Sequence, residues 1–160
     1  MIKITAENKL ISITTTGYLC LSFYVFGCLV LENNVNYATW HLIRKEDFGA
    51  YHQQLEKLLQ PYFFLPMLLQ LLFNIAFIWL HPPQLKRGLI ILVFLLNAYI
   101  IAESLLIQVP IHQALEHNKS ELLLNQLIDK HLTYRLPSEI LGAVFNILIL
   151  NKIIMNKSAD

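Results

Sequence analysis

Long stretches without a charged residue are the feature that most constrains how this chain can fold. The run from Leu10 to Leu31 carries no charge, and none appears between Lys57 and Lys86. A membrane-spanning helix needs about 20 predominantly apolar residues. Hydrophobic residues make up 56% of the chain and charged residues 14%, whereas an average soluble domain is about 25% charged. The stretches therefore predict a protein embedded in a lipid bilayer.

Four such stretches predict four transmembrane helices in a single domain that covers residues 1–160. The spans are expected at about residues 10–31, 61–80, 88–108 and 137–155. The fourth is the weakest, because its apolar run LGAVFNILIL is short and Glu139 lies at its start. It also decides the topology, since three spans would leave the termini on opposite sides. The expected fold class is all-α, an integral membrane four-helix bundle.

The distribution of basic residues predicts that both termini are cytoplasmic. The tails and the short second loop carry Lys3, Lys9, Lys86, Arg87, Lys152 and Lys157. The two longer loops carry as many basic residues, but spread over more than twice the length: Arg44, Lys45, Lys57, Lys119, Lys130 and Arg135. Cytoplasmic segments hold the excess of Lys and Arg near the membrane. The two longer loops are therefore expected on the outer side.

Each outer loop contains a stretch with the period of an amphipathic helix. The first repeats its apolar residues every three or four positions, at Phe48, Tyr51, His52, Leu55 and Leu59. In the second, Ser120 can cap a helix with the stripe Leu124, Leu127, Ile128 and His131. Pro61 and Pro137 mark the junctions with the spans. Each segment can lie along the membrane surface or fold over the mouth of the bundle.

Histidines are concentrated on the predicted outer side. Five of the six fall there, namely His41, His52, His112, His117 and His131. His52 and His131 stand on apolar stripes, and His112 follows Pro110 where the third span leaves the membrane. We predict that these three meet and can bind zinc, copper or iron, because imidazole is the commonest transition-metal ligand. Each histidine alone can equally be an interfacial or hydrogen-bonded packing residue, and no His-Glu-x-x-His run is present.

Polar residues also recur inside the spans. They follow one face of three spans, at Gln70 and Asn74, at Asn97, Ser104 and Gln108, and at Glu139, Gly142 and Asn146. These faces should meet through interhelical hydrogen bonds. Glu103 differs, since an acid within a span is costly unless it is protonated, paired or hydrated. We assign Glu103 as a candidate catalytic base and Arg135 as a candidate partner for an anionic group, with Glu139 as a further acid.

Several function classes are excluded by the sequence. Twelve Lys and Arg nearly balance eleven Asp and Glu, so no excess charge points towards nucleic acid. No Ser or Cys stands in the context of an activated nucleophile, and no glycine-rich loop is present to hold phosphate.

Two main hypotheses remain. One is a metal or small lipophilic ligand site at the outer mouth, formed by His52, His112 and His131 with Glu103, serving a redox or hydrolytic enzyme. The other is a non-enzymatic membrane module, a subunit or lipid-interacting protein whose histidines are structural. Glu103 would also suit a transporter, but the chain lacks the repeated halves that are typical of carriers. Membrane lipids are the expected partners, and a homo-oligomer remains an open alternative.

Two stretches carry a family resemblance. One is DFGAYHQQLEKLLQPYFFLPMLL, with a Phe-x-x-Tyr-His element, and the other is QVPIHQAL followed by LLNQLIDKHLTYRLPSEIL, with a Gln-x-Pro-x-His element. They resemble an uncharacterised family of small bacterial four-span integral membrane proteins and, more distantly, the anthrone oxygenase-related membrane proteins. The resemblance implies a multi-pass protein of the bacterial inner membrane and singles out Tyr51, His52, Gln108, Pro110, His112 and Arg135. The chain departs from the family at Leu55, where members often have a second His, and lacks an Asn-Trp pair near His131.

Overall fold

The chain folds into four long helices joined by short turns. The structure is a computed structural model that describes the backbone of residues 5–157 and the side chains of residues 5–155. The helices are α1 (Ala6–Trp40), α2 (Lys45–Trp79), α3 (Arg87–His117) and α4 (Glu121–Met155), with helical backbone continuing from α4 to Lys157. No strand occurs within residues 5–157, which confirms the all-α prediction for that range. Lys3 and the side chain of Lys157, used above for orientation, lie outside the described part.

Each of the four helices is long and apolar enough to cross a membrane. They contain 35, 35, 31 and 35 residues, which at 1.5 Å per residue corresponds to about 47–53 Å. The hydrocarbon core of a bilayer is only about 30 Å thick. Large apolar side chains also face away from the bundle, and Leu68, Leu72, Leu95 and Ile147 are at least half exposed. The helices are therefore longer than the predicted spans, and part of each would project beyond such a bilayer.

Successive helices are neighbours in an up-and-down arrangement. α1 packs against α2, α2 against α3, α3 against α4, and α4 against α1. Short turns between helices give antiparallel neighbours. The turns 41–44 and 118–120 lie at what we call the outer end of the bundle, and the turn 80–86 lies at the inner end with the start of α1 and the end of α4.

Each long helix is interrupted by a five-residue π-helical turn. The α-helical, π-helical and α-helical segments are Ala6–Leu31, Glu32–Asn36 and Tyr37–Trp40 in α1; Lys45–Leu59, Gln60–Phe64 and Leu65–Trp79 in α2; Arg87–Glu103, Ser104–Gln108 and Val109–His117 in α3; and Glu121–Lys130, His131–Arg135 and Leu136–Lys157 in α4. Both stretches predicted as loop helices are thus helical, as the outer parts of α2 and α4. One extra residue in a turn rotates the rest of the helix by about 100°.

Prolines explain three of these π turns. A proline stands two residues after the turns of α2, α3 and α4, at Pro66, Pro110 and Pro137. A proline ring in a helix collides with the carbonyl four residues earlier. Those carbonyls belong to Tyr62, Leu106 and Thr133, each inside its π turn. The carbonyl of Tyr62 instead accepts a hydrogen bond from the Tyr24 hydroxyl at 2.7 Å. The wider turn makes room for the ring, so the helix continues through the proline.

The inner end is closed by an apolar cluster. We call it the inner apolar cluster: Tyr18, Leu19, Phe77, Leu85, Ile90, Val93 and Ile149, which come from all four helices and the turn 80–86. Tyr18 stacks on Phe77 with ring centroids 4.9 Å apart. Because these side chains are buried, the cluster contributes hydrophobic and dispersion energy at this end.

The polar faces predicted inside the spans meet above this cluster. Asn97 Nδ2 donates to Asn74 Oδ1 at 2.8 Å, and Gln70 Nε2 donates to Asn97 Oδ1 at 3.5 Å. Between α1 and α4, the Tyr18 hydroxyl donates to Asn146 Oδ1 at 2.7 Å. Ser104 departs from the prediction, since its hydroxyl bonds to the Ile100 carbonyl of its own helix at 2.8 Å. These bonds fix which helix faces look inward.

Candidate metal centre at the outer end

Three helices contribute to a chain of hydrogen bonds at the outer end. Nε2 of His52, on α2, lies 3.0 Å from Nδ1 of His112, on α3. Nε2 of His112 in turn lies 3.1 Å from the hydroxyl of Tyr37, on α1. The amphipathic period of α2 turns His52 inward, where its side chain is 1% exposed. The predicted meeting of His52 and His112 is therefore present, within the range of a direct hydrogen bond.

Aromatic rings hold this pair in place. The Trp40 ring stands edge-on to His52 and to His112, with centroids 5.4 Å away in both cases. Phe48, one turn before His52, stacks on its ring at 5.7 Å. Trp40, Phe48 and Tyr37 belong to the buried core at this end of the bundle. Packed aromatic neighbours leave the imidazoles little freedom to rotate.

The far side of His52 faces two carboxylates. Its Nδ1 lies 3.9 Å from an oxygen of Glu56 and 3.9 Å from an oxygen of Glu116. The three candidate ligand atoms all lie within 4.8 Å of one another. Nδ1 is buried and has no hydrogen-bond partner, whereas Glu56 is 50% exposed and Glu116 17% exposed. A buried imidazole nitrogen beside two clustered carboxylates is a donor set that zinc and similar ions accept.

Burial favours the neutral form of both imidazoles. They lie outside the predicted spans, His52 before the second and His112 after the third. Burial, with smaller contributions from His52 and Arg135, lowers the pKa of His112 to about 3. Burial also lowers the pKa of His52, although Glu56 and Glu116 oppose the shift. Neutral imidazole is the form that binds a metal ion.

A second polar layer lies below the histidines. Arg135 Nε is 3.0 Å from Glu139 Oε1, and both side chains are almost fully buried. Gln108 Nε2 donates to Glu103 Oε1 at 2.6 Å across the π turn of α3. Oε2 of Glu103 and Oε1 of Gln108 are buried without a hydrogen-bond partner. The predicted catalytic residues Glu103 and Arg135 are thus both buried here, 3% and 4% exposed.

His131 lies on the other side of Tyr37. Its ring centroid is 6.4 Å from that of Tyr37, which also contacts the His112 ring at 5.7 Å. His131 is buried, and its Nδ1 has no hydrogen-bond partner. Burial lowers its pKa to about 4, with a further contribution from Arg135. That His131 shares an ion with the other two histidines stays a prediction.

His41, another histidine predicted on the outer side, does not belong to this centre. His41 Nδ1 lies 2.6 Å from Glu121 Oε2, at a site where both side chains are partly exposed. It forms an ordinary surface contact and provides a comparison for the buried site.

Sequence reasoning missed a short repeated motif. The segments His-Gln-Gln-Leu-Glu at 52–56 and His-Gln-Ala-Leu-Glu at 112–116 place an imidazole and a carboxylate four residues apart. Residues at that spacing share one helix face. Because α2 and α3 are antiparallel neighbours, the two copies bring Glu116 to His52 and His52 to His112. Tyr37 was also missed, and no local spacing signals it.

Comparison of the chain with protein-family models, with curated proteins and with solved structures gives no match. The geometry of the chain itself is therefore the basis on which its function is inferred.

Proposed function

We propose that this chain is a four-span membrane protein whose outer end binds a transition-metal ion through His52, Glu56 and Glu116. The observation that carries the proposal is the convergence of one imidazole nitrogen and two carboxylate oxygens within 4.8 Å. Metal–nitrogen and metal–oxygen bonds are about 2.0–2.2 Å long, so ligand atoms of one ion stand about 3–4 Å apart. Only small side-chain adjustments would close the site around zinc, copper or iron.

Charge balance favours a cation at this position. Two carboxylates held close together repel each other, and a divalent ion between them removes that repulsion. Glu56 is half exposed and leads to the surface, which gives an ion a way in. The nearby Nδ1 of His52 has no other partner. Three protein ligands leave a coordination position open for water or a substrate, as in catalytic rather than structural zinc sites.

His112 and Tyr37 serve as supports of the metal ligand. With an ion on Nδ1, His52 donates its Nε2 hydrogen to His112, which donates its own Nε2 hydrogen to the Tyr37 hydroxyl oxygen. Metal-bound histidines usually donate their second ring nitrogen to such a partner, which fixes the tautomer and the ring orientation. The distances of 3.0 Å and 3.1 Å suit both bonds. A bound ion would supply Lewis-acid or redox chemistry to an enzyme of hydrolytic or redox type.

The apolar outer surface and the distribution of basic residues support a membrane location. Apolar side chains cover the outside of four helices that are long enough to cross a bilayer. The denser basic residues lie at the inner end, which supports cytoplasmic termini and an outer end on the periplasmic side of a bacterial inner membrane. The resemblance to the small four-span family agrees with the number of spans, and membership in that family belongs to the proposal.

The alternative is a non-enzymatic membrane module. It is favoured by the close packing of His52 and His112 among Trp40 and Phe48, because such histidines can act as hydrogen-bonded core residues. In that case the carboxylates would simply be solvated at the rim.

Metal analysis of the protein purified in mild detergent separates the two. We expect about one zinc, copper or iron ion per chain, lost in His52→Ala and in Glu116→Gln. His41→Ala is the matched control, since it removes another outer histidine with a carboxylate partner 2.6 Å away. Metal-free wild-type protein after incubation with each of these ions, or equal metal content in His52→Ala and His41→Ala, would count against the metal site.

A further inference from the structure

A cavity opens sideways between α2 and α3, where their π turns face each other. The two helices pack together on either side of this level, through Leu65–Trp79 with Arg87–Glu103 and through Lys45–Leu59 with Val109–His117. Between these contacts lies a cavity of about 120 Å³. Phe64, 42% exposed, and Leu105, 61% exposed, belong to its lining. The mouth of the cavity therefore lies on the apolar outside of the bundle.

The inner wall of the cavity is polar. His52 and His112 line it at the top, and Gln108 and Arg135 line it deeper. Gln108 is 2% exposed, and its amide nitrogen is used by Glu103. Its Oε1 is buried and unpartnered. A buried acceptor without a donor destabilises the protein, so a molecule that supplies a donor here is bound favourably.

Size and hydrogen bonding define the head group that fits. A cavity of about 150 Å³ is enough to hold benzene, so this one accepts a head no larger than one ring. Gln108 Oε1 needs a donor, while the Arg135 guanidinium offers only donors. A hydroxyl group satisfies both. A carboxylate cannot donate to Gln108, and it would share the cavity with the acids Glu32 and Glu56, which also line it.

We infer that this cavity binds the hydroxyl head of a lipid-soluble alcohol, which enters from the bilayer between α2 and α3. The hydroxyl hydrogen bonds to Gln108 Oε1, and the apolar tail leaves between Phe64 and Leu105. The inference rests on the membrane embedding proposed above and does not depend on the metal ion. It assigns the lipophilic substrate class that the sequence left open.

Quenching of Trp40 fluorescence tests this directly. Trp40 is fully buried and contacts two cavity-lining residues, His52 and His112, so a quencher dissolved in the surrounding lipid cannot reach it. The other tryptophan, Trp79, is 63% exposed and is removed by Trp79→Phe. This variant, in lipid nanodiscs, is titrated with a ten-carbon alcohol that carries bromine beside its head. The carboxylate and the alkane that carry the same brominated chain are titrated in the same way for comparison.

We expect saturable quenching by the alcohol and little by the carboxylate or the alkane. Adding Gln108→Leu should weaken the apparent affinity about five- to tenfold, as expected for one lost hydrogen bond. Leu105→Phe should block the mouth and abolish quenching. Leu106→Phe is its matched control, because Leu106 is the next residue, is 77% exposed and does not line the cavity.

Equal quenching by the three head groups, or the same curve for Leu105→Phe and Leu106→Phe, would overturn the inference. Circular dichroism of each variant checks that it is folded, and the exposed Leu105 gives a test that does not disturb the core. Metal content and membrane insertion are measured on the same preparation. Absent quenching in a protein that spans the membrane overturns the cavity ligand alone, whereas failure to insert removes both proposals.

Discussion

Removal of the Arg135 side chain should destabilise the bundle strongly. Arg135 is 4% exposed and its partner Glu139 3% exposed, with Nε and Oε1 3.0 Å apart. Glu103 also lies within electrostatic reach of the guanidinium. Arg135→Met keeps much of the side-chain length but leaves these carboxylates without a compensating charge. Breaking a buried ion pair from one side costs about 3–5 kcal/mol, and we expect a loss of that size.

A second substitution separates the pair energy from simple packing loss. In Arg135→Met combined with Glu139→Gln, no unpaired charge remains at this pair, so at least half of the lost stability should return. Arg44→Met is the control for arginine removal in general. Arg44 lies 2.6 Å from Asp47, but it is 72% exposed, and solvent-screened pairs contribute less than about 1 kcal/mol.

Equilibrium unfolding in mixed micelles of a mild detergent and dodecyl sulfate, followed by circular dichroism, gives the free energies. A strong interaction of Arg135 with Glu139 is refuted if Arg135→Met lowers the free energy of unfolding no more than Arg44→Met does. It is also refuted if the effects of Arg135→Met and Glu139→Gln simply add in the double variant, because then the two side chains do not interact.

Two further predictions concern the histidine centre. The pKa of His112 is about 3 in the folded protein and about 6.5 in the unfolded chain. Below pH 6.5 the unfolded chain therefore binds a proton that the folded protein does not, so stability should be full above pH 6.5 and fall as the pH drops towards 3. Thermal unfolding from pH 8 to 4 measures this, and His112→Gln should flatten the profile. A Cβ at Gly49 would lie 2.9 Å from the Glu116 carbonyl oxygen, whereas one at Gly142 would meet nothing within 4 Å. Gly49→Ala should therefore push α2 away from α3 and lower metal occupancy severalfold, while Gly142→Ala should leave the occupancy unchanged. Equal metal occupancy in the two variants would contradict this role for Gly49.

The large features of the fold could be read from the sequence because they depend on composition over long stretches. Four apolar runs predicted four long helices, and polar residues inside them predicted the bonds of Asn97 with Gln70 and Asn74. The contact of His52 with His112 could also be anticipated, because both stand near the outer ends of neighbouring helices. These inferences require only two pieces of information, namely the side of the membrane on which a residue lies and the face of a regular helix to which it belongs.

The features that could not be predicted depend on the π turns. An α-helical period places residues three and four apart on one face, yet Gln108 bonds to Glu103 five residues away, across the π turn of α3. The same offset rotates the outer part of each helix relative to its span. Tyr37 follows the π turn of α1, which has no proline to reveal it. The prolines that looked like junctions are instead accommodated within continuous helices.

The inner apolar cluster has a consequence for the cell that would carry this protein. Its packed apolar side chains lie between the asparagines and glutamines of the interior and the inner end of the bundle. In the proposed orientation, ions or protons that enter the polar layers from the outer end or from the lipid would meet these buried apolar side chains before they reach the inner end. Chemistry at the outer end could then proceed without dissipating the electrochemical gradient across the membrane.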